Sequence, residues 1–81
     1  MKDLASLRAE IDQLDEQLWD IIAQRADVAR AIGEWKHAHG EQVLQPERWQ
    51  QVVEHCIAQG KQHGLSETVI REVMEALHKE S

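Results

Sequence analysis

Four cations carry the chemical information in this 81-residue chain. Arg25 interrupts an apolar seven-residue repeat made by Leu4, Leu7, Ile11, Leu14, Leu18, Ile21, Val28, Ile32 and Trp35. Such spacing lays one apolar seam along an α-helix. A guanidinium in that seam is costly unless something pairs with it. Lys36 follows eleven residues later, about three helical turns, so it points to the same side as Arg25 at roughly 16 Å along the axis. Two long side chains can close that gap around a small dianion. Arg48 lies just past the loop that returns from Lys36. Arg8 sits seventeen residues before Arg25 and about 100° around the helix, out of reach within one chain but able to serve a partner's site in an antiparallel dimer. The chemistry such a set could perform is capture of a small anion. Ordinary salt bridges, with Arg25 paired to Asp20, Glu16 or a facing carboxylate, account for the same residues. Spacing alone leaves both readings open.

The elements that position these residues are helical throughout. Tyr, Phe and hairpin dipeptides are absent from the sequence, and the apolar period is that of a helix. Helix 1 is expected to start at an Asp3 cap and to stop at Gly40, with His37 and His39 in its last turn. That gives about 35 residues and roughly 50 Å, with Gly33 inside the pattern. A short loop, 41–45, leads to Pro46 as the first residue of helix 2. Its stripe is Trp49, Val52, Val53, Cys56 and Ile57, and Gly60 on the same face suits a close backbone approach. His63-Gly64 ends it. Ser66 caps helix 3, with Glu67 complementing the dipole and Leu65, Val69, Ile70, Val73, Met74 and Leu77 as its stripe. Trp19 falls off the seam and is expected to pack on helix 2 or helix 3. The fold class is all-α, a single domain over 1–81. Helix 1 is too long for its own short helices to cover, so its seam implies a homodimer in which two long helices pack together.

Composition narrows the function. The net charge of −6 argues against nucleic acid as the main partner, but a local cluster of cations outweighs a global charge for a small anion. Cys56 is the single cysteine, which excludes an internal disulfide and fits a reducing, cytoplasmic setting. No signal peptide or membrane-spanning run is visible. His37 and His39 are two residues apart and do not share a helix face, so no metal site is expected. The acids of helix 1 (Asp3, Glu10, Asp12, Asp15, Glu16, Asp20) read as a solvated face.

The motifs together resemble the all-helical class of chorismate mutases. The resemblance runs through Leu7-Arg8-Ala9-Glu10-Ile11-Asp12, Asp15 and Leu18, then Ala23-Gln24-Arg25, Ile32-Gly33-x-x-Lys36 and Pro46-Glu47-Arg48. It continues through Gly60-x-x-x-Gly64-Leu65 to His78-Lys79-Glu80-Ser81. The run Leu44-Gln45-Pro46-x-Arg48-Trp49 and the Gly-Leu-Ser start of helix 3 are most similar to the version fused to DAHP synthase, the enzyme that opens the shikimate pathway. The resemblance implies an intertwined dimer of three-helix protomers, converting chorismate to prephenate by a Claisen rearrangement without cofactor or metal. It implies that Arg25 binds a substrate carboxylate from its own chain and that Arg8 does so from the other subunit. Lys36 would contact a carboxylate and the ether oxygen, Arg48 would order the wall of the site, and Ser81 would lie near the ring carboxylate.

Three departures stand out. Trp49 occupies the position after Arg48 where the family often has an acid facing the ring hydroxyl. Gln45 replaces the acid three residues before Arg48 and retains the ability to hydrogen-bond that hydroxyl. The family places a second ether-oxygen donor one to two turns past the serine, and the sequence ends at Ser81. The expectation there is a longer natural chain, slower turnover or a substitute group. Other functions on the same residues are an isochorismate-pyruvate lyase of the same fold and a non-catalytic module that dimerises or regulates a fused enzyme. A plain coiled-coil scaffold is disfavoured by the breaks at Gly40–Pro46 and Gly64.

Overall fold

The computed structural model describes residues 2–42 and 45–80. They form three helices and no strand: α1 (Leu4–Ala38), α2 (Pro46–Gln62) and α3 (Glu67–Glu80). The 35 residues of α1 span about 52 Å, which sets the long dimension of a body measuring 56 × 23 × 16 Å.

Local chemistry fixes each boundary. The Asp3 carboxylate accepts from the Ser6 backbone N–H at 2.8 Å and caps α1. That bond holds the Asp3 carboxyl below its ordinary value. At the other end Gly40 takes φ +69°, the Gly40 N–H donates to the His37 carbonyl at 3.3 Å, and the Glu41 N–H donates to the Lys36 carbonyl at 2.8 Å. These two reverse bonds occupy carbonyls that the last helical turn leaves open. The pattern repeats at the end of α2, where Gly64 has φ +81° and the Gly64 and Leu65 N–H groups donate to Lys61 and Gly60, each at 3.0 Å. Pro46 opens α2, and the Ser66 hydroxyl accepts from the Val69 N–H at 3.2 Å to cap α3. Glu67 binds Arg71 at 3.2 Å and reaches Lys61 of α2 at 3.5 Å. The Arg71 guanidinium, then Lys61, holds the Glu67 carboxyl below its ordinary value.

α2 and α3 form an antiparallel hairpin, since Gly60 meets Ile70 near the turn while Trp49 meets His78 at the open end. Ile57, Ile70 and Met74 are the buried core, flanked by Trp49, Val52, Val53, Cys56 and Leu77. Gly60 serves a side chain rather than a backbone: a Cβ there would lie 2.7 Å from Ile70 Cγ1 and closer still to Ile70 Cδ1. The α3 stripe is only partly used. Ile70, Met74 and Leu77 face α2, whereas Leu65, Val69 and Val73 stay about half exposed. They are exposed because a hairpin of two helices covers one narrow face of each.

α1 stands apart from this core. It has no buried residue, and its nine seam residues are 45–62% exposed. The expectation that Trp19 packs on α2 or α3 is wrong: it is 65% exposed. The hairpin approaches α1 at residues 25–32, more than a turn beyond Trp19, so no side chain of the hairpin comes over it. No helix among the described residues is long and apolar enough to cross a membrane.

Gly60→Ala will destabilise the fold by up to about 2 kcal/mol, the overpacking cost of about 1–3 kcal/mol against the buried Ile70 less the helix-propensity gain of about 1 kcal/mol; urea unfolding measures it. The caps make a second outcome accessible. Asp3 and Glu67 ionise below their ordinary values of 3.8 and 4.5, so their stabilisation is complete above about pH 5 and is lost as the pH falls through the lowered values. Far-UV circular dichroism under acid titration will show a loss of helix in that window that is smaller in an Asp3→Asn, Glu67→Gln double variant.

Candidate active site

Arg25 is half-buried, unlike the exposed seam residues on either side of it. The sequence forces this placement. Ala26 and Ala29 are small and half-buried, and they let the hairpin approach α1 where larger residues would hold it off. The result is a cleft of about 340 Å³ lined by Arg25, Val28, Ala29 and Ile32 of α1, Trp49 and Val52 of α2, and His78 of α3. Ligand pockets begin at about that size. Its floor is apolar and its charge is that of one guanidinium. Among the described residues no carboxylate pairs with Arg25. Of the acids upstream, Asp20 accepts from Gln24 Nε2 at 3.0 Å. Asp27 binds Arg30, and Glu10 binds Lys2. The salt-bridge explanation of Arg25 therefore finds no support among the described residues.

Trp49 and His78 close one side of the cleft. Their rings stack with centroids 4.1 Å apart and 24° between planes. A second hollow of about 640 Å³ is lined by Gln42, Gln45, Pro46, Glu47, Arg48 and Gln51. Gln45 is half-buried and donates from Nε2 to the Gln42 carbonyl at 3.2 Å, which leaves its side-chain oxygen to accept. Arg48 is exposed and lines this hollow, whereas the next residue, Trp49, lines the first. Lys36 is half-buried in the last turn of α1. Trp35 beside it stacks on His39, whose Nδ1 donates to the Trp35 carbonyl at 2.8 Å and so stiffens this end of the helix.

The structure thus brings Arg25 together with Trp49, and Gln45 with Arg48. Arg8 is exposed about 25 Å up α1 from Arg25, far from this chain's own cleft. Ser81 lies outside the described residues. Sequence reasoning missed His78, Val52 and the Val28–Ala29 wall as cleft residues. Val28 was legible only as seam. Nothing in the local sequence marks His78, because its role depends on the antiparallel pairing that sets it against Trp49.

The arrangement can bind a small anion against an apolar wall and place positive charge beside it. It offers no paired nucleophile and base among the residues that line it.

Comparison with known proteins places this geometry in a family. The profile described as chorismate mutase type II matches residues 7–81. The T-protein of Haemophilus influenzae is 32% identical over 81 residues, all of this chain and 22% of that protein. The 4-amino-4-deoxychorismate mutase of Streptomyces venezuelae is 35% identical over 68 residues, 84% of this chain and 66% of that protein. The chorismate mutase of Methanocaldococcus jannaschii is 28% identical over 69 residues, 85% of this chain and 70% of that protein. The chain therefore spans about a fifth of the T-protein and just under two thirds of the Streptomyces relative. No solved structure matched. On the match to nearly its whole length, and on a cleft built around Arg25, the chain belongs to the chorismate mutase type II family.

Proposed function

We propose that the chain converts chorismate to prephenate. In this rearrangement the ether C–O bond breaks as a C–C bond forms, and no proton is transferred. Catalysis requires holding the flexible dianion in a compact, chair-like pose and meeting the charge that grows on the ether oxygen. The observation that carries this reading is the half-buried Arg25, without a protein partner among the described residues, facing an apolar cleft. A bound carboxylate supplies the missing counter-charge.

In this reading Arg25 binds one carboxylate and Lys36 bridges a carboxylate and the ether oxygen. Arg48 orders the wall, Gln45 accepts from the ring hydroxyl, and Ser81 approaches the ring carboxylate. Arg8 enters the site of a second protomer. The homodimer this needs is supported by the seam. Covering nine half-exposed side chains contributes on the order of 10 kcal/mol per chain, or about 20 for two, against an association cost of about 4–15 kcal/mol. The Streptomyces relative is named for a substrate with an amine in place of the hydroxyl. An ammonium there would favour a carboxylate partner, and positions 45 and 49 hold Gln45 and Trp49, which favours chorismate itself. A cytoplasmic setting and a fused or associated DAHP synthase complete the proposal; the latter rests on the sequence run from Leu44 to Trp49 and on the Gly-Leu-Ser start of helix 3.

Purified protein will consume chorismate with formation of prephenate, and Arg25→Ala will lower kcat/KM on the order of 10³-fold. Unchanged activity in that variant would overturn the Arg25 assignment, absence of chorismate consumption by the wild type would establish a non-catalytic helical module instead, and pyruvate release from isochorismate would establish the lyase. Leu14→Lys places a charge on the seam about three helical turns away from Arg25. It will shift sedimentation from dimer to monomer and reduce turnover, because Arg8 no longer reaches the partner's cleft.

A further inference from the structure

His78 has no role in the reaction as set out above, yet it lines the Arg25 cleft. Its ring lies on the face of Trp49, which fixes the imidazole plane at the cleft wall. The residues that line the cleft with it are these. Arg25 faces it from α1, where Val28, Ala29 and Ile32 complete the wall. α2 presents Trp49 and Val52, which carry no charge. On α3, Glu75 and Lys79 flank it in sequence. Imidazole is the side chain whose charge changes between about pH 5 and 8. An imidazolium on an indole face gains a cation–π interaction and shares the cleft with the Arg25 guanidinium. A dianion seated between the two is attracted to both, so protonation and binding favour one another.

Resting on the chorismate reading, we propose that His78 is a substrate-binding residue whose protonated ring adds a second positive charge to the cleft. Affinity for the dianion therefore rises as the pH falls through the imidazole range. Neither a guanidinium nor the substrate's carboxylates change charge in that window, so the effect belongs to an imidazole. The Trp49 platform is what makes the position effective, since an unstacked side chain on this exposed edge would sample many rotamers.

The test is steady-state turnover of chorismate from pH 6 to 8 by the full chain, His78→Phe and His78→Ala, with NMR titration of the His78 ring with and without saturating prephenate as a non-reacting dianion. Wild-type KM will rise about three- to tenfold across the range with little change in kcat, the ratio expected for a coupling of half to one pKa unit. His78→Phe keeps an aromatic ring on Trp49 and removes the charge; its KM will be flat and close to the wild-type value at pH 8. Prephenate will move the His78 titration midpoint upward. If wild type turns over but His78→Phe keeps the pH-dependent KM, or prephenate leaves the midpoint in place, the inference is overturned while the Arg25 assignment stands. A purely structural His78 gives the same overturning result: His78→Ala loses stability and keeps the wild-type pH profile. If wild type neither consumes chorismate nor binds prephenate, both readings fall together.

Discussion

The constraint on which the rest depends is a mismatch of lengths. α1 runs 35 residues, whereas α2 and α3 fold back on one another as a hairpin of 17 and 14. A hairpin spends its apolar faces on itself, so Ile57, Ile70 and Met74 make a core that excludes α1. The long helix keeps its seam exposed and meets the hairpin over one short stretch. That stretch is where Arg25 lies. Had the hairpin been longer, or had α1 broken at Gly33, a single chain could have closed over its own apolar surface and left no cleft. Gly33 does not break it because nothing distorts the helix there and the flanking residues are adequate helix formers.

What could be read from sequence follows the range of the interaction concerned. Asp3, Gly40, Pro46, Gly64 and Ser66 act on backbone groups within a few residues, so their caps and turns were legible and the structure bears them out. The long seam with Arg25 in it was legible for the same reason, since a period needs only one helix. Trp19 was misread because its surroundings depend on where the hairpin lies. Leu65, Val69 and Val73 share the period of Ile70 and Met74, and only tertiary packing decides which of them is covered. His78 is the furthest case: 29 residues separate it from the ring it stacks on, and no local pattern encodes that pairing.

The electrostatics show the same separation of scales. The chain carries −6 overall, yet its cleft carries no negative side chain among the residues that line it. The acids of α1 stay on its solvent side and several bond near neighbours: Asp20 to Gln24, Asp27 to Arg30, Glu10 to Lys2. Exposed charges more than a Debye length away, about 8 Å at physiological salt, are largely screened. The potential felt by a bound anion is therefore set by Arg25 and its immediate surroundings rather than by the net charge.

This bears on why a family site tolerates Gln45 and Trp49 where the resemblance leads one to expect acids. A carboxylate there would accept from a ring hydroxyl, an interaction worth about 1.5–3 kcal/mol for a charged acceptor. On the proposed reading it would also oppose the substrate's carboxylates, and at an effective dielectric of about 20 two like charges about 7 Å apart repel by roughly 2 kcal/mol. The two effects nearly cancel, so the acid is not demanded by substrate affinity. Gln45 retains an acceptor without the repulsion. Trp49 gives up the acceptor and gains an apolar wall on which His78 rests. On the proposed reading the exchange removes negative charge from the neighbourhood of Arg25, at the cost of weaker orientation of the hydroxyl. For a rearrangement whose charge develops on the ether oxygen, that is the less costly side on which to lose precision.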